Sequence, residues 1–243
     1  MPDPDFSELK AFHTLGQDAV PDVVASLGGG ATDLVWRNEL GGLTFRLPGQ
    51  RYVKWNPRRT GIDLDRERRR LLWLAGRHPA PRVVDYGDDD TAQWLVTEAV
   101  PGVLAVGDTW RARRPEAIRA IADGLLALHA IPVVGVPAEF TAESWVGREP
   151  PSIGVRPPIL EPVLVHGDAC APNTLISLAG EWTGNVDFGD LAVGDRWADL
   201  AVASMSLDWN FGEGHQAEFF AAYGIEPDEE RIHYYRALWD LES

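Results

Sequence analysis

Cysteine is all but absent from this chain: Cys170 is the only one in 243 residues, so no intrachain disulfide can form and a reducing compartment is expected. Long apolar runs are missing too. None approaches the roughly 18 to 20 residues that a membrane span requires, and no membrane partner is expected. The N-terminal M-P-D-P-D-F-S-E is acidic, lacks the apolar stretch of a signal peptide, and is read as belonging to a cytoplasmic protein. Positive charge is scarce, with 22 Lys and Arg against 37 Asp and Glu and a net charge of -15. That deficit argues against nucleic acid as a partner, because such binding depends on neutralising phosphates, and it welcomes a small cationic partner instead. Lysine is scarcest of all: Lys10 and Lys54 are the only two, so a lysine set in an apolar strand invites a reason.

What is present is an ordinary globular composition, 45% apolar and 24% charged, in a chain long enough for one large domain or two small lobes. Residues 1–30 read as a lead-in ending in a flexible joint, Gly28-Gly29-Gly30. Segments 34–37, 43–47 and 51–55 read as three strands, with Gly41-Gly42 and Pro48-Gly49 as the turns of an antiparallel meander. A glycine hairpin followed by a strand carrying a lysine is how kinases cover and grip ATP phosphates, which makes Gly41, Gly42 and Lys54 candidates for nucleotide binding. A helix follows from about 63 to 76, with Leu64, Leu71 and Leu74 as its apolar stripe. Glu67 falls on that stripe, and a half-buried carboxylate needs a partner. Lys54 is the leading candidate, with the neighbouring arginines as the alternative. Strands at 82–86 and 93–97, joined by Asp88-Asp89-Asp90, lead to 98–102, where a kinase presents hinge backbone to adenine; Thr97 and Ala99 are the hinge candidates.

The second half holds the chemistry. In V-L-V-H-G-D-A-C-A-P-N-T-L-I-S-L-A-G-E-W-T-G-N-V-D-F-G-D, residues 163–190, four polar residues follow or adjoin short apolar runs: His166, Asp168, Asn173 and Asp187. Asp168 and Asn173 stand five apart, as in the kinase loop H-R-D-x-x-x-x-N, and Asp187 opens a D-F-G triplet. Phosphoryl transfer asks for positioning and for neutralisation of spreading negative charge, which this set can supply together with Lys54. A metal hydrolase built on His166 and Asp168 would need a second histidine at ligand spacing, and none stands nearby. Elsewhere, 115–130 is an amphipathic helix whose His129 caps or packs, and 131–162, with seven prolines, reads as a long loop. A helix at 195–206 would place Asp199 beneath the catalytic loop, and 209–223 and 228–241 read as two more helices with aromatic cores.

With these motifs in view, the chain resembles the aminoglycoside phosphotransferases, and within them the 3'-phosphotransferase branch, from about residue 36 to 240. The specific segments are V-H-G-D-A-C-A-P-N-T-L, V-D-F-G-D-L-A-V-G-D-R-W-A-D-L-A-V-A, L-D-R-E-R-R-R-L-L-W-L and Y-G-I-E-P-D-E-E-R-I-H-Y-Y-R-A-L. The resemblance implies an α+β, two-lobed protein-kinase-like fold, with an N-lobe of antiparallel sheet and one helix over 1–100 and a mainly helical C-lobe over 101–243. It implies ATP and Mg2+ as cofactors: Asp168 orients or deprotonates the attacking hydroxyl, Asn173 and Asp187 hold the metal, and Lys54 with Glu67 contacts the phosphates. The implied reaction is phosphorylation of an aminoglycoside, at the 3'-hydroxyl, conferring resistance. The chain departs from the family where the acceptor would bind. Its segment before His166 is short and rich in proline, Asp190 stands where relatives often carry a basic residue, and Trp239 takes the place of one acid of a terminal acidic pair. Asp190, Asp240 and Glu242 are the remaining candidates to hold substrate amines. A small-molecule kinase for choline or an amino sugar is the nearest alternative, and an inactive nucleotide-binding module a more distant one; a protein kinase lacks support, as no A-P-E motif follows Asp187.

Overall fold

The computed structural model describes residues 20–242; residues 1–19, Lys10 among them, and Ser243 lie outside the described residues, as does the side chain of Glu242. The expected meander forms as β1 (Asp33–Arg37), β2 (Leu43–Leu47) and β3 (Arg51–Pro57), joined by β4 (Arg82–Asp88) and β5 (Ala92–Glu98). Together they make a five-stranded antiparallel sheet in the order β1-β2-β3-β5-β4, with Lys54 of β3 between Thr44 and Leu95. Alternation along β2, whose Leu43, Phe45 and Leu47 are buried, fixes the register. The lead-in is not wholly irregular. Residues Asp22–Gly28 form helix α1, whose Val24 packs under β2, and Gly29 closes it in the left-handed conformation rather than acting as a joint.

Helix α2 (Leu64–Leu74) begins where Asp63, its N-cap, accepts a hydrogen bond from the Asp65 amide ahead of an acidic first turn that holds Asp65 and Glu67. Its Leu64, Leu71 and Leu74 join Leu95 in a cluster that continues into the second half of the chain through Leu128, Phe140, Leu164, Phe188 and Leu191. Arg70, on the same helix, is wholly buried. Its guanidinium donates to the carbonyls of Leu191 (2.9 Å) and Phe140 (2.8 Å) and pairs with Glu143 at 3.0 Å. The planar fork is satisfied at every edge, which is the condition for burying a charge at tolerable cost.

After the short strand β6 (Val103–Leu104) the chain is mainly helical. Helices α3 (Asp108–Ala112) and α4 (Arg114–His129) come first, and α4 buries Ile118, Ile121, Leu125 and Leu128 as its periodicity requires. The proline-rich segment contains more structure than expected: α5 (Ala138–Glu143) starts directly after Pro137, buries Phe140, and is followed by two short 3-10 turns. Pro137 ends one extended stretch and opens the helix because its missing N–H is not needed there. Strands β7 (Pro162–Val165) and β10 (Ala192–Asp195) pair, as do β8 (Thr174–Ile176) and β9 (Trp182–Asn185). Asp195, expected in a helix, instead ends β10, and α6 runs over Trp197–Phe211. The helix expected over 209–223 is broken at Gly212 and Gly214, so that α7 covers only Gln216–Tyr223, and α8 closes the chain at Glu229–Glu242. Phe219, Phe220, Tyr223, Tyr234 and Tyr235 are core, as read.

Because Arg70 fastens α2 to the loop before β10 and to α5, replacing it with methionine should strand two carbonyls and Glu143. An Arg70→Met variant should lose about 3 kcal/mol, a fall in Tm on the order of 10 °C. Thermal and urea melts measure this; wild-type stability would mean the buried fork contributes nothing.

Candidate active site

The site begins where β7 ends. Asp199 of α6, fully buried, accepts from the His166 amide at 2.7 Å and the Gly167 amide at 2.9 Å, and from His129 Nε2 at 2.9 Å. His129 is thus a buried partner of Asp199, its Nδ1 accepting the Tyr223 hydroxyl at 2.7 Å. A carboxylate accepting three hydrogen bonds can stay buried and can hold a loop rigidly. His166 then locks the next residue: its Nε2 donates to the Val186 carbonyl at 2.9 Å, which leaves Nδ1 to accept the Asp168 amide at 3.2 Å. Gly167 has φ +80° and lies so near Asp190 that a β-carbon would overlap the Asp190 carbonyl. Asn173, closing a 3-10 turn ahead of β8, donates its amide nitrogen to the Asp168 carbonyl at 2.9 Å and carboxylate at 2.8 Å.

Lys54, Glu67 and Asp187 meet as one cluster. Lys54 Nζ is 2.8 Å from both Glu67 oxygens and 2.9 Å from Asp187 Oδ1. The helix-face reasoning therefore chose the right partner for Glu67, which is 5% exposed. Burial opposes the Lys54 charge, but the Asp187 and Glu67 carboxylates outweigh it and hold its pKa above the ordinary value. Burial and the negative Asp187 push Glu67 upward despite Lys54. Asp187 feels burial too, but the Lys54 cation prevails and keeps its carboxyl below the ordinary value. Its backbone sits at φ +67°, a left-handed conformation that costs a non-glycine residue on the order of 1 to 3 kcal/mol and that persists where surrounding structure imposes it. Asp168 is raised, by burial and by Asp187.

Two cavities open at Asp168, one of them lined by the Lys54 cluster. A cleft of about 450 Å³ is lined by Lys54, Glu67, Thr97, Ala99, Asn173 and Asp187, among others, with Val35, Leu104 and Leu175 as apolar walls. A smaller one, about 220 Å³, is lined by Arg66, Glu143, Arg148, Asp190 and Trp239. Asp168 lines both. A larger hollow of about 620 Å³ beside the β2–β3 turn shares Ala99 and Val100 with the cleft but neither Lys54 nor Asp168; Asp33 and Arg46 in its wall pair with each other.

Most of the residues singled out from sequence therefore converge, and the exceptions have physical causes. Gly41 and Gly42 do not line the cleft. Their amides are used inside the β1–β2 turn, donating to the Asn38 carbonyl and to Asn38 Oδ1 at 2.7 Å, and Gly42 is glycine because a β-carbon would strike the Asn56 side chain. Ala99 lines the cleft, but its N–H donates to the Gln50 carbonyl at 2.8 Å as a continuation of the sheet. Asp190 is at the small cavity, paired with Arg66. Asp240 is exposed on α8 and lines neither cavity; the Glu242 side chain lies outside the described residues. Arg66, Glu143, Trp145 and Arg148 were not foreseen at the site, though Arg66 adjoins Glu67. Cys170, in the wall of the cleft, has its thiol pushed well up by burial and by Asp168.

The donor set suits a hard divalent cation. Asn173 gives its nitrogen to Asp168 and so retains its oxygen for a metal, and Asp187 offers a half-exposed carboxylate. Among the described residues no three His, Cys, Asp or Glu side chains form a metal-holding group.

A five-stranded sheet and lysine-bound helix over a helical half, with a loop carboxylate between a nucleotide-sized cleft and a second cavity, define a kinase-like phosphotransferase. The family model described as "Phosphotransferase enzyme family" matches residues 23–154 and 141–235, and the chain belongs to that family. An aminoglycoside 3'-phosphotransferase of Streptomyces fradiae is 32% identical over 243 residues, covering 82% of this chain and 90% of the relative. A streptomycin 3''-kinase of Streptomyces griseus is also 32% identical, over 86% and 92% of the two chains. Among solved structures, an aminoglycoside phosphotransferase of Streptomyces rimosus in complex with ADP and streptomycin superposes with a TM-score of 0.66 at 26% identity, covering 95% and 97%.

Gly167 combines a left-handed backbone with the Asp190 contact, so Gly167→Ala should cost about 3 kcal/mol and displace Asp168. Melting curves and kcat measured together check this: both should fall, and a variant as stable as wild type would contradict the geometry.

Proposed function

We propose that this chain transfers the γ-phosphoryl group of ATP to a hydroxyl of an aminoglycoside, and that the 3'-hydroxyl is the acceptor. The observation that carries the reading is the position of Asp168, in the wall of both cavities, within reach of a nucleotide on one side and an acceptor on the other. The names of the relatives support the substrate class, and the equal match to a 3''-kinase makes the site of phosphorylation part of the test. In the same reading, residues up to about 100 are the lobe that grips the nucleotide and 101–243 the lobe that carries the base and the acceptor site.

The acceptor hydroxyl lies against Asp168, whose carboxylate is held by Asn173 and whose amide is fixed by His166. As the hydroxyl oxygen bonds to the γ-phosphorus, the bond from phosphorus to the β–γ bridging oxygen breaks, ADP departs, and the hydroxyl proton passes to Asp168. Lys54, oriented by Glu67, turns from Asp187 toward the phosphates, placing a positive charge where negative charge is spread in the transition state. Mg2+ held by Asn173 and Asp187 would neutralise phosphate charge as well. The walls of Val35, Leu104 and Leu175 accept the base, and the backbone around Thr97 and Ala99 borders it.

A coupled ADP-release assay over aminoglycosides, choline and amino sugars tests the reading, with NMR of the product locating the phosphate. Turnover confined to choline would refute the aminoglycoside assignment. Asp168→Ala should lower kcat by about a thousandfold, the scale of general base catalysis, while calorimetric ATP binding stays near wild type; retained turnover would remove Asp168 from its role.

A further inference from the structure

The small cavity is less acidic than a protein of charge -15 would lead one to expect. Three carboxylates face it, Glu143, Asp168 and Asp190, but two arginines, Arg66 and Arg148, share its lining. Two of the carboxylates are already paired with arginines. Glu143 accepts from Arg69 at 2.8 Å and from the buried Arg70 at 3.0 Å, and Asp190 is paired with Arg66. The Asp190 backbone is held in place, its carbonyl accepting the Ser144 hydroxyl at 2.9 Å and abutting Gly167. Arg66 is held at some cost, since its Nε is buried without a hydrogen-bond acceptor among the described residues. Trp239 lines the same cavity, its indole 5.7 Å from that of Trp209. An aromatic face of this kind receives the C–H face of a sugar ring and also a cation.

We propose that the Arg66–Asp190 ion pair is the selectivity element of the acceptor cavity: Asp190 binds a cationic group of the acceptor only in exchange for Arg66. The cavity therefore favours an acceptor with few cationic groups that lays a ring against Trp239, and disfavours one studded with ammonium groups. This rests on the aminoglycoside reading above and narrows it. Arg66 carries a fixed charge that no incoming amine can neutralise, so each ammonium entering beside it meets repulsion at close range in a partly desolvated space. An acceptor with one well-placed cation displaces Arg66 from Asp190 once; further cations find Glu143 already held by two arginines.

The test is steady-state ADP release by the full chain at saturating Mg-ATP, with kanamycin, paromomycin and neomycin as acceptors, which share a 3'-hydroxyl and rise in amine count in that order. Wild type should show kcat/KM falling along that series. Arg66→Met should lower KM for neomycin about tenfold, the worth of one charge-assisted hydrogen bond released to the acceptor, and flatten the series. Asp190→Asn should raise acceptor KM, and in the Arg66→Met background it should cancel the gain, while KM for ATP is unmoved in every variant. If Arg66→Met does not fold, Arg66→Gln removes the same charge and should show the same gain. Turnover of any aminoglycoside with acceptor KM unchanged or raised on removal of the Arg66 charge overturns this inference alone. No turnover of any aminoglycoside by any variant overturns both it and the function on which it rests.

Discussion

One ammonium group holds the site together. Lys54 Nζ contacts a helix through Glu67 and the D-F-G segment through Asp187, and the strand that carries it is central in the sheet. Three pieces of chain separated by up to 133 positions are thereby fixed within one hydrogen-bonding radius. The arrangement depends on Glu67 being buried. An exposed glutamate beside a lysine is worth little, whereas a buried one left without its partner costs about 3 to 5 kcal/mol or takes up a proton. Glu67 has its pKa raised even with Lys54 in place, because burial together with the negative Asp187 outweighs the cation. The same placement gives Lys54 two anionic neighbours, so that engaging phosphate does not require it to leave Glu67.

Beneath the cluster the structure is arranged to impose conformations the chain would otherwise avoid. Asp199 pins two successive amides, Trp145 donates to the Gly167 carbonyl at 2.6 Å, and His166 spans from the Asp168 amide to the Val186 carbonyl. These bonds hold Asp187 at positive φ and keep Asp168 close to Asn173. Strain of this kind survives only where many contacts agree, and here they come from β7, α6 and the 3-10 turn at Trp145–Gly147. The proline-rich segment, for all its lack of periodicity, supplies two of the parts: Trp145, and the Glu143 that satisfies Arg70.

How far the sequence could be read follows from the range of each interaction. Lys54–Glu67 was legible because helical periodicity put a carboxylate on an apolar face and the chain offers few lysines to meet it. Asp168, Asn173 and Asp187 were legible because local spacing encodes them, and Asp199 because it recurs at the start of a helix just after them. The run R-E-R-R-R was not. Its arginines look alike in sequence, yet Arg66 pairs with Asp190, Arg68 and Arg69 with Asp65, Arg69 also with Glu143, and Arg70 is buried among carbonyls. Apart from the local Asp65 pairs, those choices are made by residues seventy or more positions away, which no local pattern reports. Gly41 and Gly42 misled for the opposite reason: a glycine turn has the same local signature whether its amides face a phosphate or, as here, Asn38.

Net charge was likewise a sound guide to the whole and a poor one to the site. A total of -15 sets the field felt by an approaching cation beyond the surface, where it raises encounter rates. Inside a cavity the sum that matters runs over groups within about a Debye length, roughly 8 to 10 Å, and weights the nearest most heavily. In the small cavity Arg66 and Arg148, with Arg69 and Arg70 bound to Glu143, stand against Glu143, Asp168 and Asp190. Attraction at a distance is followed by near balance at contact, so the acidic surface gathers cations of every kind, and discrimination among them falls to the geometry of a single exchangeable ion pair and the indole that lines the same cavity.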